Sequence, residues 1–135
     1  MRLLGIDYGE RKIGVAMGDT ETHVASPWVI IENKGHGDAI KQIKLICERE
    51  GVERVVIGIP KMLRDTSAEN EQIRSIRRFI DDLRKHDIPV DEADEMLTSS
   101  QAQYYLRQTG FKAQDDDVAA SIMLQSHLDK LATDN

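Results

Sequence analysis

Three acidic residues could do chemistry together if the fold brought them together. Asp7 interrupts the apolar run Leu3-Leu4-Gly5-Ile6-Asp7-Tyr8. A lone carboxylate inside a central strand is costly unless it is paired or bound to a cation. Glu95 ends a short strand-like stretch, and Asp115, Asp116 and Asp117 open a long helical one. Asp116 shares a helical face with Ala119, Ala120 and Met123. Small residues on that face let a helix lie close to a sheet, which would carry Asp116 toward it. Asp115 and Asp117 read instead as acids that complement the helix macrodipole. Carboxylates that converge without a basic partner repel one another, and hard divalent cations relieve the repulsion because Mg²⁺ and Mn²⁺ prefer oxygen ligands. Two such ions, about 3.5–4 Å apart, clamp an in-line phosphodiester displacement. Asp7, Glu95 and Asp116 are therefore the expected metal ligands and catalytic residues, with two Mg²⁺ or Mn²⁺ ions. No Cys/His spacing suits zinc. His23, His36, His86 and His127 show no pairing that their spacing supports and read as surface or helix-terminal residues.

The elements that must position these acids can be read in order. Leu3 to Tyr8 and Ile13 to Met17 form two strands joined by a polar turn. Gly18 to Thr22 reads as a second turn, and Pro27 to Ile31 as a third strand, giving an antiparallel meander. Asp38 to Glu50 reads as a helix, capped by Asp38 and ended by Gly51. Arg54 to Ile59 is a continuous apolar run between Gly51 and Pro60, the pattern of a strand buried on both faces. Thr66-Ser67-Ala68-Glu69 resembles a capping box before a helix with Ile73, Ile76, Ile80 and Leu83 on one stripe. Its other face carries Arg74, Arg77, Arg78 and Arg84, interrupted by Asp81 and Asp82, and reads as solvated. Val90 to Ala93 is a short strand. A helix from Thr98 through Leu106 and a last one from Asp115 to about Leu131 complete the chain. The order predicts an α/β fold: a mixed five-stranded sheet, antiparallel meander plus parallel strands, with helices on both faces.

Composition sets bounds. With 135 residues the expectation is a single domain, 1–135, with a genuine core. The one cysteine, Cys47, excludes an internal disulfide and reads as a small core hydrophobe. No run approaches membrane-spanning length, and the first strand starts directly after Met1-Arg2, so a cytoplasmic protein without membrane partners is expected. The net charge of −6 does not favour a nucleic-acid binder. Carboxylates gathered at a metal site would make a catalytic domain look more acidic than its binding face.

Gly5-Ile6-Asp7-Tyr8-Gly9 followed by Arg11-Lys12-Ile13-Gly14-Val15-Ala16 resembles the opening signature of the YqgF (RuvX) family of ribonuclease-H-like proteins. Val56-Ile57-Gly58-Ile59-Pro60 resembles the family's second motif. Asp94-Glu95-Met96-Leu97-Thr98 with Ala102 resembles its Asp-Glu-Arg-Leu-Ser/Thr motif. Asp116-Asp117-Val118-Ala119-Ala120 with Ile122, Leu124 and Gln125 resembles its closing Asp-x-x-Ala-Ala motif. The match runs through nearly the whole chain, in order. It implies a ribonuclease-H-like fold and a metal-dependent endonuclease whose acids map to Asp7, Glu95 and Asp116. It further implies a role in maturing the 5′ end of small-subunit (16S) ribosomal RNA precursor, with Holliday junction resolution on four-way DNA as the alternative.

Two departures from the family pattern bear on substrate geometry. Met96 stands where the family has an arginine, which could hold a phosphate or orient the glutamate. The loop after Pro60 reads Lys61-Met62-Leu63-Arg64-Asp65-Thr66 and lacks the family's Asn and Asp-Gly turn. Arg11, Lys12, Lys61, Arg64 and Lys112 are the candidate phosphate contacts for structured RNA or branched DNA. A non-catalytic nucleic-acid- or ribosome-associated factor on the same fold is a further alternative. An actin-like sugar kinase would need two such domains, for which this length has no room. A junction resolvase would be a two-fold dimer, whereas an end-processing ribonuclease could be a monomer.

Overall fold

The computed structural model describes residues 1–60, 71–95 and 116–133, with backbone only at 60, 72, 94, 95, 116, 117 and 133. The capping box at Thr66–Glu69, Met96, the helix expected from Thr98, and Lys61, Arg64 and Lys112 lie outside the described residues. Strands β1 (Arg2–Asp7), β2 (Lys12–Asp19) and β3 (Val24–Glu32) are followed by helix α1 (His36–Glu50) and strand β4 (Val52–Pro60). Helix α2 (Glu71–Lys85), strand β5 (Val90–Glu95) and helix α3 (Asp116–Thr133) complete the described elements. The sheet order is β3-β2-β1-β4-β5. β1 pairs antiparallel with β2 and parallel with β4, and β5 is parallel to β4. This is the expected mixed sheet: a meander on one side of β1, parallel strands on the other. Among the described residues no helix is long and apolar enough to cross a membrane.

Alternation along β1 builds two cores. Leu4, Ile6 and Tyr8 join Ile13, Val15, Val55, Ile57 and Ile59 under α1 (Ile40, Ile43) and α2 (Ile73, Ile76, Phe79, Ile80, Leu83). On the other face Leu3, Ala16, Ala25 and Val56 pack against Ala120, Met123, Leu124 and Leu128 of α3. Strand residues two apart share a face, so one strand serves both layers.

The α3 layer is thin because two glycines let the helix in. A Cβ on Gly5 would stand 2.9 Å from Leu124 Cβ and 3.3 Å from the Ala120 carbonyl oxygen. A Cβ on Gly18 would stand 2.9 Å from Leu124 Cδ2 and 3.2 Å from Leu128 Cδ1. Gly18 therefore does not begin a turn, as its neighbours suggest. It lies inside β2, which runs to Asp19, and the turn follows at residues 20–23. The chain reverses there with His23 in the left-handed region, φ 57°.

Both edge strands are blunted, by different means. β5 carries Asp91, Glu92, Asp94 and Glu95 among six residues, and charge on an edge discourages further pairing. At the start of β3 the Gln125 side chain of α3 accepts the Ala25 N–H at 2.9 Å and donates to the His23 carbonyl at 2.7 Å. A helix side chain thus occupies backbone groups that a neighbouring strand could otherwise take. Pro27, one residue pair further on, has no N–H to offer.

Helix α1 starts two residues before the expected cap. Gly35 is its N-cap (φ 120°), without a side-chain cap, and Asp38 lies within the first turn, accepting from Gln42 Nε2 at 2.7 Å. Gly51 closes the helix in the left-handed conformation, as expected. The turn between β1 and β2 is tied down by Asn33. Its Nδ2 donates to the Gly9 carbonyl at 2.8 Å, its own N–H donates to the Arg11 carbonyl at 2.8 Å, and its Oδ1 accepts from Gly35 N at 3.1 Å.

Two outcomes follow. Gly5→Ala should cost about 1–3 kcal/mol, because the overlap is with the root of a core side chain that cannot swing away. Urea denaturation would show a lower midpoint at unchanged slope, and an unchanged midpoint would mean α3 sits further from the sheet. Asn33→Ala should cost about 1–2 kcal/mol through two lost hydrogen bonds. Amide exchange should quicken at residues 9–12 and 35, while β4 stays protected.

Candidate functional site

Asp7 is the last residue of β1, opposite Gly14 of β2, and is partly exposed. It has the strand parity of Leu3 and Gly5, the residues that meet α3. Ile6 is in register with Ile57, and Ile57 with Glu92, so Asp7 stands level with Gly58 and Ala93. Glu95 ends β5 opposite Pro60, two residues beyond that level. Standard sheet dimensions put its backbone about 10 Å sideways and about 7 Å onward from Asp7.

Asp116 is the first residue of α3. The helix runs antiparallel to β1. Leu128 and Leu124 meet Gly18, which pairs with Leu3, and then Leu124 and Ala120 meet Gly5. One more helical turn is about 6 Å and two more strand residues are about 6.6 Å. The backbone at residue 116 is thus level with Asp7. The three acids occupy three elements that end or begin at one pole of the sheet, where parallel strands finish and α3 starts.

Arg11 and Lys12 lie at the same pole, in and just after the turn that Asn33 ties down, and both are exposed. Lys61, Arg64 and Lys112 lie outside the described residues. Among the described side chains no three His, Cys, Asp or Glu residues form a group that could hold an ion. Of the three acids, only Asp7 has a described side chain. The fit to a metal is a matter of donor chemistry: all three positions supply only carboxylate oxygen, which suits Mg²⁺ or Mn²⁺ and not a soft ion.

Three groups with displaced pKa values sit away from this pole. Arg54 Nε and Nη2 donate to the two Asp91 carboxylate oxygens at 2.8 and 2.7 Å. That fork holds the Asp91 carboxyl below its ordinary value. Burial pushes the His127 imidazole below its ordinary value, against the attraction of Asp91. Burial also pushes the Cys47 thiol up to about 11, so it is no thiolate nucleophile. Cys47, as expected, packs against the core under α1. It also lines a cavity of about 260 Å³ at the start of β4, with Val52, Val55, His86 and Ile88.

The expectation for His36 needs correcting. It is helix-terminal, the first residue of α1, but it is paired: its Nε2 lies 2.9 Å from the Tyr8 hydroxyl and its Nδ1 lies 3.3 Å from Asp82 Oδ2. Tyr8 is a core residue, 7% exposed. The partners are 28 and 46 residues from His36, so no local spacing announces them. The usable signal was Tyr8 itself, since a buried tyrosine hydroxyl requires a partner. Asp82 interrupts the arginine face of α2 because it turns toward His36.

A "Putative pre-16S rRNA nuclease" of Chloroflexus aggregans is 42% identical over 133 residues, covering 94% of this chain and 92% of that protein. Thermus thermophilus RuvC in complex with a Holliday junction substrate superposes with a TM-score of 0.63 at 13% identity, over 98% of this chain and 96% of that one. The large terminase nuclease of phage G20c with bound cobalt superposes with a TM-score of 0.55 at 13% identity, over 93% and 80%. At such identities these two structures establish the shared ribonuclease-H-like fold. The family model described as RuvX, Holliday junction resolvase, matches residues 1–130, and the chain belongs to that family.

Proposed function

We propose that the chain is a single-domain, metal-dependent endonuclease that hydrolyses phosphodiester bonds in the 5′-end processing of small-subunit ribosomal RNA precursor. The observation that carries this reading is the position of Asp7. A carboxylate at the end of a central strand has the parity of the face that α3 covers, one helical turn from where Gly5 meets Ala120. Asp116 opens that helix and Glu95 ends the strand two places across the sheet. In this reading Asp7, Glu95 and Asp116 ligate two Mg²⁺ or Mn²⁺ ions. When bound, such ions neutralise charge at the phosphodiester and lower the pKa of water.

The protein's own residues then hold and orient the strand. Arg11 and Lys12 present cations from the turn beyond β1, and Lys61, Arg64 and Lys112 complete the set of phosphate contacts. Asn33 keeps that turn in one conformation, so the cations arrive in a fixed relation to Asp7. The 42% identity to the Chloroflexus protein supports ribosomal RNA as the substrate. The family description and the fold shared with a junction-bound RuvC support four-way DNA as the second reading.

The test is cleavage by purified protein, with Mg²⁺ or Mn²⁺, of a labelled ribosomal RNA precursor 5′ segment and a four-way DNA junction side by side. The expected result is metal-dependent cutting of the RNA. Asp7→Asn should lower the rate by more than about 100-fold, since even outer-shell changes at metal sites cost 10–100-fold. Symmetric cutting of the junction alone would install the second reading. No cutting of either by folded protein would leave a binding factor.

A further inference from the structure

Asp7 ends β1 with the parity of Leu3 and Gly5, which face α3, and Tyr8, the next residue, lies in the core on the other side of the sheet. Tyr8 goes into the core between β1, α1 and α2. Its ring lies 4.8 Å from that of Phe79 and 5.7 Å from that of His36, centroid to centroid, and His36 stands edge-on to Phe79 at 5.2 Å. Its hydroxyl is held twice, by His36 Nε2 at 2.9 Å and by Ser75 Oγ at 3.0 Å. His36 reaches on to Asp82 at 3.3 Å. One imidazole therefore joins the end of β1 to the first residue of α1 and to the middle of α2.

The direction of the bonds follows from what each group can do. An ionised Asp82 can only accept, so Nδ1 of His36 carries the proton that faces it. In neutral His36 the other nitrogen, Nε2, is then an acceptor, and the Tyr8 hydroxyl donates to it while accepting from Ser75. Every member is satisfied, and among the described side chains no buried polar atom lacks a partner. A satisfied polar network of this kind admits one arrangement where an apolar core would admit several.

The place of that network in the chain gives it a use. Gly9 comes next, and its backbone passes so near the Lys12 carbonyl that a Cβ would stand 2.5 Å away. The chain turns from there, with residues 10 and 11 in a bend. Tyr8 is therefore the last side chain anchored in the core before a reversal that starts at a glycine. Asp7 is fixed from one side by Ile6 and from the other by Tyr8.

We propose that His36 is a positioning residue: by clamping the Tyr8 hydroxyl against Asp82 and Ser75 it fixes the end of β1, and so aims the Asp7 carboxylate on the opposite face. This rests on the reading of Asp7 as a metal ligand, and the test separates the two. His36→Phe keeps a ring beside Phe79 and removes both nitrogens. His36→Gln keeps an amide that can accept from Tyr8. Each is compared with the parent by amide exchange at residues 8–12 and by Mn²⁺ affinity, measured by the loss of the free-ion electron paramagnetic signal.

His36→Phe should speed exchange at residues 8–12 about fivefold, the fold-change of one lost hydrogen bond. It should weaken Mn²⁺ binding about tenfold, the low end for a residue acting through a ligand. His36→Gln should recover part of both. Should His36→Phe not fold, Tyr8→Phe removes the same bond from the other end and should give the same exchange pattern. Parent-like exchange and parent-like Mn²⁺ affinity in the phenylalanine variants would overturn the proposal. A parent protein that binds no Mn²⁺ would overturn the ligand reading instead, and exchange at residues 8–12 would still decide whether the clamp exists.

Discussion

The approach of α3 to β1 and β2 governs the rest of the molecule. Gly5 and Gly18 leave no side chain between sheet and helix, and Ala16 and Ala120 add little. The helix settles almost onto the strands, and Leu124 fills the space above both glycines. The helix runs antiparallel to β1, and its first residue, Asp116, lies at the pole of the sheet where β1 ends. That the backbone at residue 116 stands level with Asp7 follows from packing four and eight residues further along the helix. Large side chains at positions 5 or 18 would lift the helix and shift residue 116 without touching an acid.

The strand beneath does two opposed things. Its odd residues, Leu3 and Gly5, make the thin α3 layer, and its even residues, Leu4, Ile6 and Tyr8, enter the larger core under α1 and α2. A carboxylate at position 7 is tolerable because it lies at the end of the strand, partly in contact with solvent. The cost of aiming it is met on the other face, where Tyr8, His36, Ser75 and Asp82 supply hydrogen bonds that a purely apolar core would lack. Packing on one side and polar contacts on the other thus act on the same two residues.

Much of this was legible in the sequence. The apolar run from Arg54 to Ile59 announced a strand buried on both faces, and the apolar run that Asp7 interrupts announced a carboxylate out of place. Small residues after Asp116 announced a close helix. Where the reading failed, the cause was contact between distant residues. Gly18 looked like a turn because glycine marks turns, yet it is there to admit Leu124 and Leu128. His36 looked unpartnered because its partners come from just after β1 and from α2. Asp38 looked like a cap because helix starts favour acids both at the cap and within the first turn, and the backbone alone distinguishes them. Gln125 covering the edge of β3 had no local signal at all.

In the proposed function residues 7, 95 and 116 share one cation site. The most direct measurement is diffraction from crystals grown with Mn²⁺, at a wavelength where manganese scatters anomalously. The expected result is manganese density beside the Asp7 carboxylate, with carboxylate oxygens of Glu95 and Asp116 among the ligands of the ion pair at about 2.0–2.1 Å, the distance of small hard cations. Manganese bound elsewhere, or bound to Asp7 with Glu95 and Asp116 turned away, would contradict it.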